Sequence, residues 1–422
     1  MRTEQIDALV IGGGAAGMSA AARISAAGFS TALVEREDEL GGVLLQCIHN
    51  GFGLHEFKEE LTGPEYAERW VHSIEESEVM VFCGTTVMEM NLLEDGRKEC
   101  FGYSPQHGVV KFVTRTVVLT MGCRERNRGN VMIPGTRPAG VYTAGLAQRL
   151  VNMNGYIPGK EVVIVGSGDI GLIMARRMQW VGSKVHAVVE IQPYPSGLTR
   201  NISQCLNDFK IPLYLSHVVS KIYGKERVEA VDITPLKNGI PDHEQTFQIK
   251  CDTLLLSVGL IPENELSKQV GIELNPLTNG PTVDSMLMTS IEGVFSAGNV
   301  LHVHDLVDFV SAEARLAGEN VIDYLKGIKP KRELPIKPGA NIRYINPTRI
   351  NPDVNSEIYM RPLVVSNNAR LKIMVNGEVV KQQKKPHVQP SEMIKLKISP
   401  KFFQDVELTP DSRVEVTLQD EP

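Results

Sequence analysis

Two short glycine-rich segments carry the chemistry that this sequence indicates most clearly. Both have the spacing G-x-G-x-x-G, and their glycines are Gly12, Gly14, Gly17 and Gly166, Gly168, Gly171. In a turn from a strand into a helix, the first glycine allows the tight turn, the second lets a pyrophosphate approach the backbone, and the third lets the helix pack against the strand. The helix N-terminus then offers free N–H groups to the phosphates. Each segment therefore predicts a dinucleotide site.

An acidic residue follows each segment at the distance expected for a ribose contact. Glu35 lies 18 residues after Gly17, and Glu190 lies 19 residues after Gly171. A carboxylate at this position accepts a hydrogen bond from a ribose hydroxyl. One isolated glycine motif could mean only a helix packed closely on a strand, but two copies with their acids favour two nucleotide sites. No basic residue follows Glu190 before Arg200, which favours NAD over NADP.

The surrounding pattern supplies the elements that would position these motifs. An apolar strand (residues 6–11), a small-residue helix (18–27) and a second strand (31–35) surround the first motif, and segments 161–165, 172–181 and 184–190 repeat this order around the second. Further strands end at Gly122 and Gly259, and a G-V-F-S-A-G-N segment (293–299) leads into a predicted helix at 306–326. The fold class is therefore α/β, with two Rossmann-like domains.

The last quarter of the chain has a different pattern. Residues 329–331 and the prolines at 335 and 338 predict a linker, and alternating segments follow at 371–375, 394–398 and 413–418. Asn376-Gly377 lies directly after the first of these segments and predicts a two-residue hairpin turn. We expect a small β-rich C-terminal domain.

The order of these motifs resembles the two-dinucleotide-binding flavoprotein superfamily that includes thioredoxin and glutathione reductases. The resemblance covers roughly residues 5–328 and implies FAD in the N-terminal fold and NAD(H) in the inserted fold. The implied domains are an FAD-binding domain in two parts (1–145 and 258–330), an NAD-binding domain (146–257) and a linker with the β-rich domain (331–422).

The resemblance, together with the motifs, also assigns binding residues. The residues expected to contact FAD are Gly12, Gly14, Ala15, Ala16, Gly17, Glu35, Arg36, Gly42, Val87, Gly122, Arg124, Gly298, Asn299 and Val307. Those expected to contact NAD(H) are Gly166, Gly168, Asp169, Ile170, Gly171, Glu190 and Gly259. The superfamily usually has aspartate where this chain has Asn299. No catalytic side chain is assigned, because hydride transfer between nicotinamide and flavin requires positioning and exclusion of water rather than an acid, base or nucleophile.

The cysteines separate this chain from the disulfide reductases. Cys47 has no partner cysteine before Cys83, and the chain contains no C-x-x-C. Disulfide exchange would lack its second thiol. The segments at 41–53, 121–126 and 166–171 are instead similar to NADH-dehydrogenase-like α-type subunits of sarcosine, opine and proline dehydrogenases and of hydrogen cyanide synthase.

That similarity implies a flavoprotein subunit that exchanges electrons between NAD(H) and a second flavoprotein dehydrogenase, for example one of glycerol-3-phosphate dehydrogenase type. A small iron–sulfur protein is a further expected partner. Two alternatives stay open: a stand-alone NADH oxidase or diaphorase that reduces oxygen or a quinone, and a non-catalytic assembly subunit.

Several other residues have two interpretations each. Cys47 and His49 could line the flavin or simply pack. Arg124, Arg126 and Arg128 could meet FAD phosphates or a partner, or lie on a solvated loop. His302 and His304 suggest metal, but with no third ligand nearby we expect a turn that caps the next helix, and no metal site.

Composition excludes other classes. The 422 residues carry 44 basic and 50 acidic side chains, a net charge of −6, which argues against a nucleic-acid partner. The sequence contains no apolar run of membrane-spanning length. A strand that begins near Met1 and six scattered cysteines predict no signal peptide, no disulfide framework and a cytoplasmic location.

Overall fold

The computed structural model describes residues 1–420, which form two compact units. The first unit consists of residues 1–123 together with the chain from residue 262 onward, and the second consists of residues 124–261. The second unit includes the whole segment that was predicted to be the NAD-binding domain.

The N-terminal part of the first unit is built on a mostly parallel sheet with the order β5-β2-β1-β8-β7-β6, to which β20 (Val294–Ser296) adds beside β8. The elements of this part are β1 (Arg2–Ile11), α1 (Ala15–Ser25), β2 (Thr31–Val34), β3 (Asn50–Phe52), β4 (Leu61–Thr62), α2 (Gly63–Glu75), β5 (Met80–Phe82), β6 (Thr86–Leu92), β7 (Lys98–Ser104) and β8 (Gly108–Leu119). A one-turn helix covers Gly42–Gln46. The continuous apolar runs of β1 and β8 are buried, as expected for strands covered on both faces.

The second unit repeats the same strand–helix–strand order. Its elements are β9 (Cys123–Glu125), α3 (Arg128–Val131), β10 (Val141–Thr143), α4 (Ala144–Asn152), β11 (Glu161–Val165), α5 (Asp169–Trp180), β12 (Lys184–Glu190), α6 (Thr199–Ile202), β13 (Leu213–Leu215), β14 (His217–Tyr223), β15 (Ala230–Lys237), β16 (Ile240–Pro241), β17 (Phe247–Lys250), β18 (Thr253–Leu256) and β19 (Leu260–Pro262). The parallel sheet has the order β10-β18-β11-β12-β13, and β14 to β17 form an antiparallel sheet.

The chain then completes the first unit. The remaining elements are α7 (Glu265–Gln269), β20 (Val294–Ser296), α8 (Val307–Leu325), β21 (Leu334–Pro338), β22 (Ile342–Asn346), β23 (Arg349–Ile350), β24 (Ser356–Pro362), β25 (Ala369–Val375), β26 (Glu378–Lys385), β27 (Ile394–Ile398) and β28 (Val414–Asp420). The predicted β-rich C-terminal region is confirmed: it contains a five-stranded sheet, β23-β21-β28-β25-β26, and a three-stranded sheet, β22-β24-β27.

Helix α8 packs against α1 on one face of the N-terminal sheet. The hydroxyl of Ser19 on α1 donates to the carbonyl of Ser311 on α8 at 2.8 Å, and the Tyr66 hydroxyl of α2 lies 2.7 Å from the Ser311 hydroxyl. Gly318 has no side chain between the two helices, and a Cβ there would lie 3.1 Å from the Ala20 carbonyl oxygen. These small residues let α8 approach the sheet end at which the first glycine motif lies.

The structure differs from the sequence predictions at several boundaries. The two helices after the glycine motifs begin three residues earlier than predicted, at Ala15 and Asp169, because the last residues of each motif already form the first helical turn. The predicted linker is wrong at its prolines, since Pro335 and Pro338 lie in β21. A strand tolerates them because the N–H of Ile336, between the two, donates to the Thr348 carbonyl at 2.9 Å. The hairpin turn at Asn376-Gly377 is confirmed, with φ of 52° and 91°.

In all described residues, no helix combines the length and apolar character that crossing a bilayer requires.

A buried carboxylate in the first unit makes stability depend on pH. The Asp284 carboxylate accepts backbone N–H groups of Met286 and Met288 at 2.8 and 3.0 Å. Burial raises the pKa of Asp284 from 3.8 to about 6, against the effect of these donors. The folded protein thus holds this proton more tightly than the unfolded chain, and the carboxyl reduces stability progressively as the pH rises from about 4 to about 6.

Asp284→Asn keeps the acceptor oxygen and removes the charge. We expect the variant to exceed wild type in free energy of unfolding by roughly 1 to 3 kcal/mol at pH 8 and by much less at pH 4. Denaturant unfolding of both proteins at the two pH values measures this difference. The exposed Asp405→Asn is the matched control. A variant that is equally destabilised at both pH values would contradict the assignment.

Candidate functional site

The first glycine motif forms a turn with no room for side chains at two of its three positions. Gly12 has φ of +107°, and a Cβ there would lie 2.5 Å from the Thr120 carbonyl oxygen. A Cβ on Gly17 would lie 1.7 Å from the Gly12 carbonyl oxygen, so α1 could not pack against the turn. At Gly14, by contrast, a Cβ would meet nothing within 4 Å. The motif therefore has two closely packed glycines and one that faces open space, as a pyrophosphate-binding turn requires.

Glu35 ties this turn to the end of β2. Its side chain is buried and accepts the N–H of Gly13 at 2.6 Å on one oxygen and the N–H of Glu37 at 2.8 Å on the other. An ionised carboxylate has about four acceptor positions, so two stay available. The arrangement fits a carboxylate that also receives ribose hydroxyl groups.

Other predicted residues meet the first motif at the same sheet end. A Cβ on Gly42 would lie 3.4 Å from the Gly14 Cα, and a Cβ on Gly298 would lie 3.0 Å from the Cβ of Ala16. Gly298 has φ of +76° and begins a short helical turn directly after β20. Segments that are distant in sequence are thereby brought together around one open space beside Gly14, Gly42 and Gly298. We call this space the first cradle.

The other residues predicted to bind FAD have separate surroundings. Ala15 is buried in the first turn of α1, Arg36 is exposed beside Glu37, and Val87 is half-buried on β6. The Gly122 carbonyl accepts the N–H of Glu263 at 3.0 Å. Val307 is the first residue of α8 and packs on the core of the first unit. Arg124 belongs to the second unit.

Asn299 uses its side chain within the first unit. Its carbonyl oxygen accepts the N–H of His304 at 3.0 Å, and its amide nitrogen lies 3.7 Å from the Cys123 sulfur. The aspartate that the superfamily usually has here could accept the same N–H but could not donate to a sulfur.

The second glycine motif has the same geometry as the first. Gly166 has φ of +94°, and a Cβ there would lie 2.0 Å from the Ser257 carbonyl oxygen, while a Cβ on Gly171 would lie 2.5 Å from the Gly166 carbonyl oxygen. A Cβ on Gly168 would meet only the Ser257 hydroxyl, at 3.8 Å. The middle glycine, Gly168, again faces open space at the N-terminus of a helix. We call this space the second cradle.

Glu190 has more hydrogen-bond partners than Glu35. Like Glu35, it accepts an N–H from its glycine motif (Ser167, 2.9 Å) and one from two residues further along the chain (Gln192, 2.9 Å). It also accepts the hydroxyl groups of Ser167 at 2.6 Å and Ser196 at 3.0 Å. Three of these donors therefore meet Oε2, whereas Oε1 accepts only the N–H of Gln192.

The segment that contains Ser196 continues over the start of α5. The carboxylate of Asp169 accepts the N–H of Leu198 at 2.9 Å and the side-chain amide of Asn201 at 2.6 Å. Asp169 thus holds this segment in place, while Ile170, the next residue of the helix, is half-buried and packs on the core. The sequence motif did not show this contact, because its partners lie 29 and 32 residues away.

Two further predictions concern the second unit. Gly259 is exposed with φ of +98°, and its carbonyl accepts the N–H of Arg126 at 2.9 Å. The guanidinium of Arg128 donates to the carbonyls of Ile133 (3.0 Å) and Gly135 (3.2 Å) and closes the loop after α3. A guanidinium with five N–H donors is suited to binding several backbone carbonyls of one loop.

Cys47 lies in an environment that suppresses thiolate formation. Its sulfur donates to the Val43 carbonyl at 3.3 Å, and burial raises the pKa of the thiol to about 12. No disulfide joins any of the six cysteines, all of which lie in the described part of the chain. His49, close by, stacks at 5.0 Å on Phe52. A thiol with this pKa is a poor nucleophile, so Cys47 is not suited to disulfide chemistry.

The expectation about His302 and His304 is wrong about the third ligand and about the cap. A third potential ligand is present, since Glu313 of α8 reaches both imidazoles, and all three side chains are buried. The segment also provides no cap, because α8 follows Leu306 without a side-chain hydrogen bond. The sequence separates Glu313 from His304 by nine residues, and only the direction of α8 returns its side chain to the pair.

Comparison with known proteins agrees with this geometry. The chain belongs to the pyridine nucleotide-disulphide oxidoreductase family, whose model matches residues 6–317. Its matches include proteins named as an NAD(P)H sulfur oxidoreductase of Pyrococcus abyssi and an NADH oxidase of Methanocaldococcus jannaschii.

Individual relatives are distant. The chain is 26% identical over 297 residues to hydrogen cyanide synthase subunit HcnB of Pseudomonas protegens, a match that covers 64% of this chain and 60% of that protein. It is 24% identical over 313 residues to an opine oxidase subunit of Agrobacterium tumefaciens, covering 69% and 61%. Each match spans less than two thirds of the relative.

A solved structure shows the same fold. The thioredoxin reductase of T. acidophilum superposes with a TM-score of 0.63 at 22% identity and covers 76% of this chain and 98% of that one. The part of this chain that it leaves uncovered is comparable in size to the β-rich C-terminal region.

In the first motif, substitution of the open glycine, Gly14, and of the closely packed glycine, Gly17, should affect different properties of the protein. Gly14→Ala should leave the free energy of unfolding of the FAD-free protein within about 1 kcal/mol of wild type, because its Cβ enters open space, but should weaken FAD binding at least tenfold. Gly17→Ala should destabilise the protein even without FAD, because its Cβ would lie 1.7 Å from a carbonyl oxygen.

Denaturant unfolding of the FAD-free proteins and titration with FAD separate these two effects. If Gly14→Ala bound FAD with wild-type affinity, this cradle would not be the pyrophosphate site.

Proposed function

We propose that this chain is the NAD(H)-oxidising or NAD-reducing flavoprotein component of a multi-component dehydrogenase. It would exchange electrons between NAD(H) and a second flavoprotein that acts on the substrate. The observation that carries the proposal is the pair of matching cradles at Gly14 and Gly168, each with a buried carboxylate beside it and no activated nucleophile among the described residues around them.

Each cradle fits one dinucleotide. We assign FAD to the residues around Gly14, Glu35 and Gly298, and the nicotinamide dinucleotide to those around Gly168 and Glu190. We propose 1–145 with 258–330 as the FAD-binding domain and 146–257 as the NAD-binding domain. When bound, the flavin supplies the two-electron chemistry that connects hydride transfer to the partner protein. The side chains of this protein bind and orient the cofactors and exclude water.

Glu190 supports NAD rather than NADP. Its carboxylate is buried with four hydrogen-bond donors around it, and a carboxylate beside the ribose would repel a 2′-phosphate. The crowding of Oε2 has a consequence for binding: a ribose hydroxyl can bond to that oxygen only by replacing one of its three donors, whereas Oε1 has a single donor. Ser196 is the candidate for displacement, because its bond is the longest of the four and the residue lies on a loop.

The partner is proposed from relatives and from chemistry. Two relatives are named as subunits, of hydrogen cyanide synthase and of opine oxidase. The high pKa of Cys47, and a sequence with no C-x-x-C and no cysteine between Cys47 and Cys83, argue against a disulfide as the electron acceptor. A flavoprotein dehydrogenase of glycerol-3-phosphate dehydrogenase type, with a small iron–sulfur protein as a further component, is the partner we propose, in the cytoplasm where NAD(H) is exchanged.

Anaerobic mixing with NADH tests the core of the proposal. We expect the purified protein to contain FAD whose visible flavin absorbance is lost on addition of stoichiometric NADH and much more slowly with NADPH. Gly168→Ala should keep its FAD but lose reduction by NADH, because its Cβ occupies only the second cradle. A protein without flavin, or a flavin that NADH leaves oxidised, would contradict the proposal.

Copurification from the native host then decides between the functions. A second flavoprotein that copurifies, together with slow consumption of NADH in air by this chain alone, is the expected result. Rapid turnover of NADH in air by the isolated chain would instead indicate a stand-alone oxidase, and an intact complex in which this chain carries no flavin would indicate a non-catalytic assembly role.

Ser196→Ala tests the displacement at Glu190. Removal of the hydroxyl leaves Oε2 with two donors, so a ribose hydroxyl no longer has to displace Ser196 and the affinity for NAD should rise about two- to tenfold. Titration of the oxidised protein with NAD, followed by fluorescence or calorimetry, measures the change. Ser220→Ala on β14, whose hydroxyl bonds within the antiparallel sheet, is the control. Weaker NAD binding by Ser196→Ala would show that the Ser196 bond organises the site instead of blocking it.

A further inference from the structure

The carboxylate of Glu313 is the centre of a buried hydrogen-bond network in the first unit. One oxygen lies 2.8 Å from Nε2 of His302; the other accepts the N–H of Gly298 at 2.7 Å and lies 3.1 Å from Nε2 of His304. Because an ionised carboxylate can only accept, both imidazoles must carry a proton on Nε2. Three N–H groups from one segment, residues 298–304, therefore converge on a single side chain of α8.

The network keeps a negative charge inside the protein. Burial opposes ionisation of Glu313, but the electrostatic attraction of His302 and His304 and their N–H donors outweigh it, so the pKa of Glu313 lies well below its usual range. Burial lowers the pKa of His302. A buried anion without such donors would be strongly destabilising, which means that the carboxylate and the segment around it depend on each other.

The segment 298–304 is folded around this charge. The N–H of His302 also bonds to the Gly298 carbonyl at 3.2 Å, and the N–H of His304 bonds to the side chain of Asn299 at 3.0 Å. The carboxylate of Glu313 thus stabilises the backbone conformation at Gly298 and Asn299.

The β-rich C-terminal region encloses the network. The ring of Tyr359 on β24 lies 5.5 Å from His302 and 5.2 Å from His304. Arg361 donates to the Val303 carbonyl at 3.0 Å and pairs with Asp305 at 2.9 Å. The C-terminal region therefore excludes water from the carboxylate and fixes the far end of the same segment.

We propose that Glu313 is a positioning residue of the flavin site, which holds segment 298–304 in the conformation that binds FAD. The inference rests on the proposed assignment of FAD to the first cradle, where Gly298 lies against Ala16 of the first glycine motif. Glu313 acts through its hydrogen bonds with Gly298, His302 and His304.

The geometry favours a hydrogen-bond network over a metal site at these three residues. A histidine that binds a metal through one nitrogen normally donates its other N–H to an acceptor. In the described part of the chain, Nδ1 of His302 and Nδ1 of His304 are both buried without a hydrogen-bond partner. If Nε2 bound a metal, each ring would leave an N–H donor buried and unsatisfied, whereas donation from Nε2 to Glu313 leaves only an acceptor nitrogen without a partner.

Glu313→Gln tests the proposal directly. The amide keeps the size of the side chain but loses the charge and replaces one acceptor with a donor that conflicts with an N–H of the segment. We expect the dissociation constant for FAD to rise at least tenfold and the midpoint potential of the remaining bound flavin to shift. Glu319→Gln is the matched control, because Glu319 lies on the same helix, is exposed and pairs with Arg23.

A second pair of variants decides the question if Glu313→Gln fails to fold. His304→Gln keeps an N–H that can reach the carboxylate, whereas His304→Phe keeps the ring but has no donor. We expect His304→Gln to bind FAD within about threefold of wild type and His304→Phe to bind it at least tenfold more weakly, since a hydrogen bond to a charged group is lost.

Three results would overturn the proposal. The first is wild-type FAD affinity and flavin potential in Glu313→Gln, with only a lower unfolding temperature. The second is equal loss of FAD binding in both His304 variants. The third is one equivalent of zinc or iron in the purified wild-type protein whose removal by a chelator releases FAD, because the imidazoles would then bind metal. Wild-type protein that binds no FAD would instead refute the proposed function itself.

Discussion

A pyrophosphate can approach the backbone only where a strand turns into a helix without a side chain in the way, and the rest of the cofactor architecture follows from this requirement. In both units the first and third glycines of the motif are packed so closely that a Cβ would lie 1.7 to 2.5 Å from a carbonyl oxygen. This contact brings the helix N-terminus against the strand end and leaves the middle glycine exposed to the cradle. The two parallel sheets provide such a turn twice.

In both units a buried carboxylate fixes the glycine turn, but the two carboxylates differ in their other hydrogen bonds. Glu35 and Glu190 each join the end of a strand to the glycine turn through a backbone N–H, so the carboxylate first holds the turn and only then can meet a ribose. Glu35 keeps acceptor positions available. At Glu190 the loop with Ser196 adds a third donor to Oε2, so a ribose hydroxyl that bonds to this oxygen would have to displace one of the three, whereas each oxygen of Glu35 accepts a single N–H.

A third carboxylate, Glu313, has a related task at the flavin cradle. There the Glu313 carboxylate accepts the backbone N–H of Gly298. It is also hydrogen-bonded to His302 and His304. The C-terminal β-region covers this network, so its tyrosine and arginine side chains contribute to the environment of segment 298–304. A region that looked like a separate appendage in the sequence belongs to the same compact unit as the flavin cradle.

The amino-acid sequence was sufficient to predict the α/β class, the duplication, the two glycine turns with their acids and the β-rich C-terminal region. These features are local: spacing along a strand or helix is a direct consequence of backbone geometry, and a hairpin at Asn376-Gly377 needs only residues that tolerate left-handed φ. The cysteine spacing was informative for a similar reason, since folding cannot supply a residue that the chain does not contain. Which side chains share a hydrogen-bond network, by contrast, became known only from the packed structure. Glu313 reaches His302 and His304 because α8 packs on α1, and Ser196 reaches Glu190 because its loop folds back over the glycine turn. Such contacts join residues on different elements, and they form only when whole helices, strands and loops pack together. No local period or motif encodes that packing.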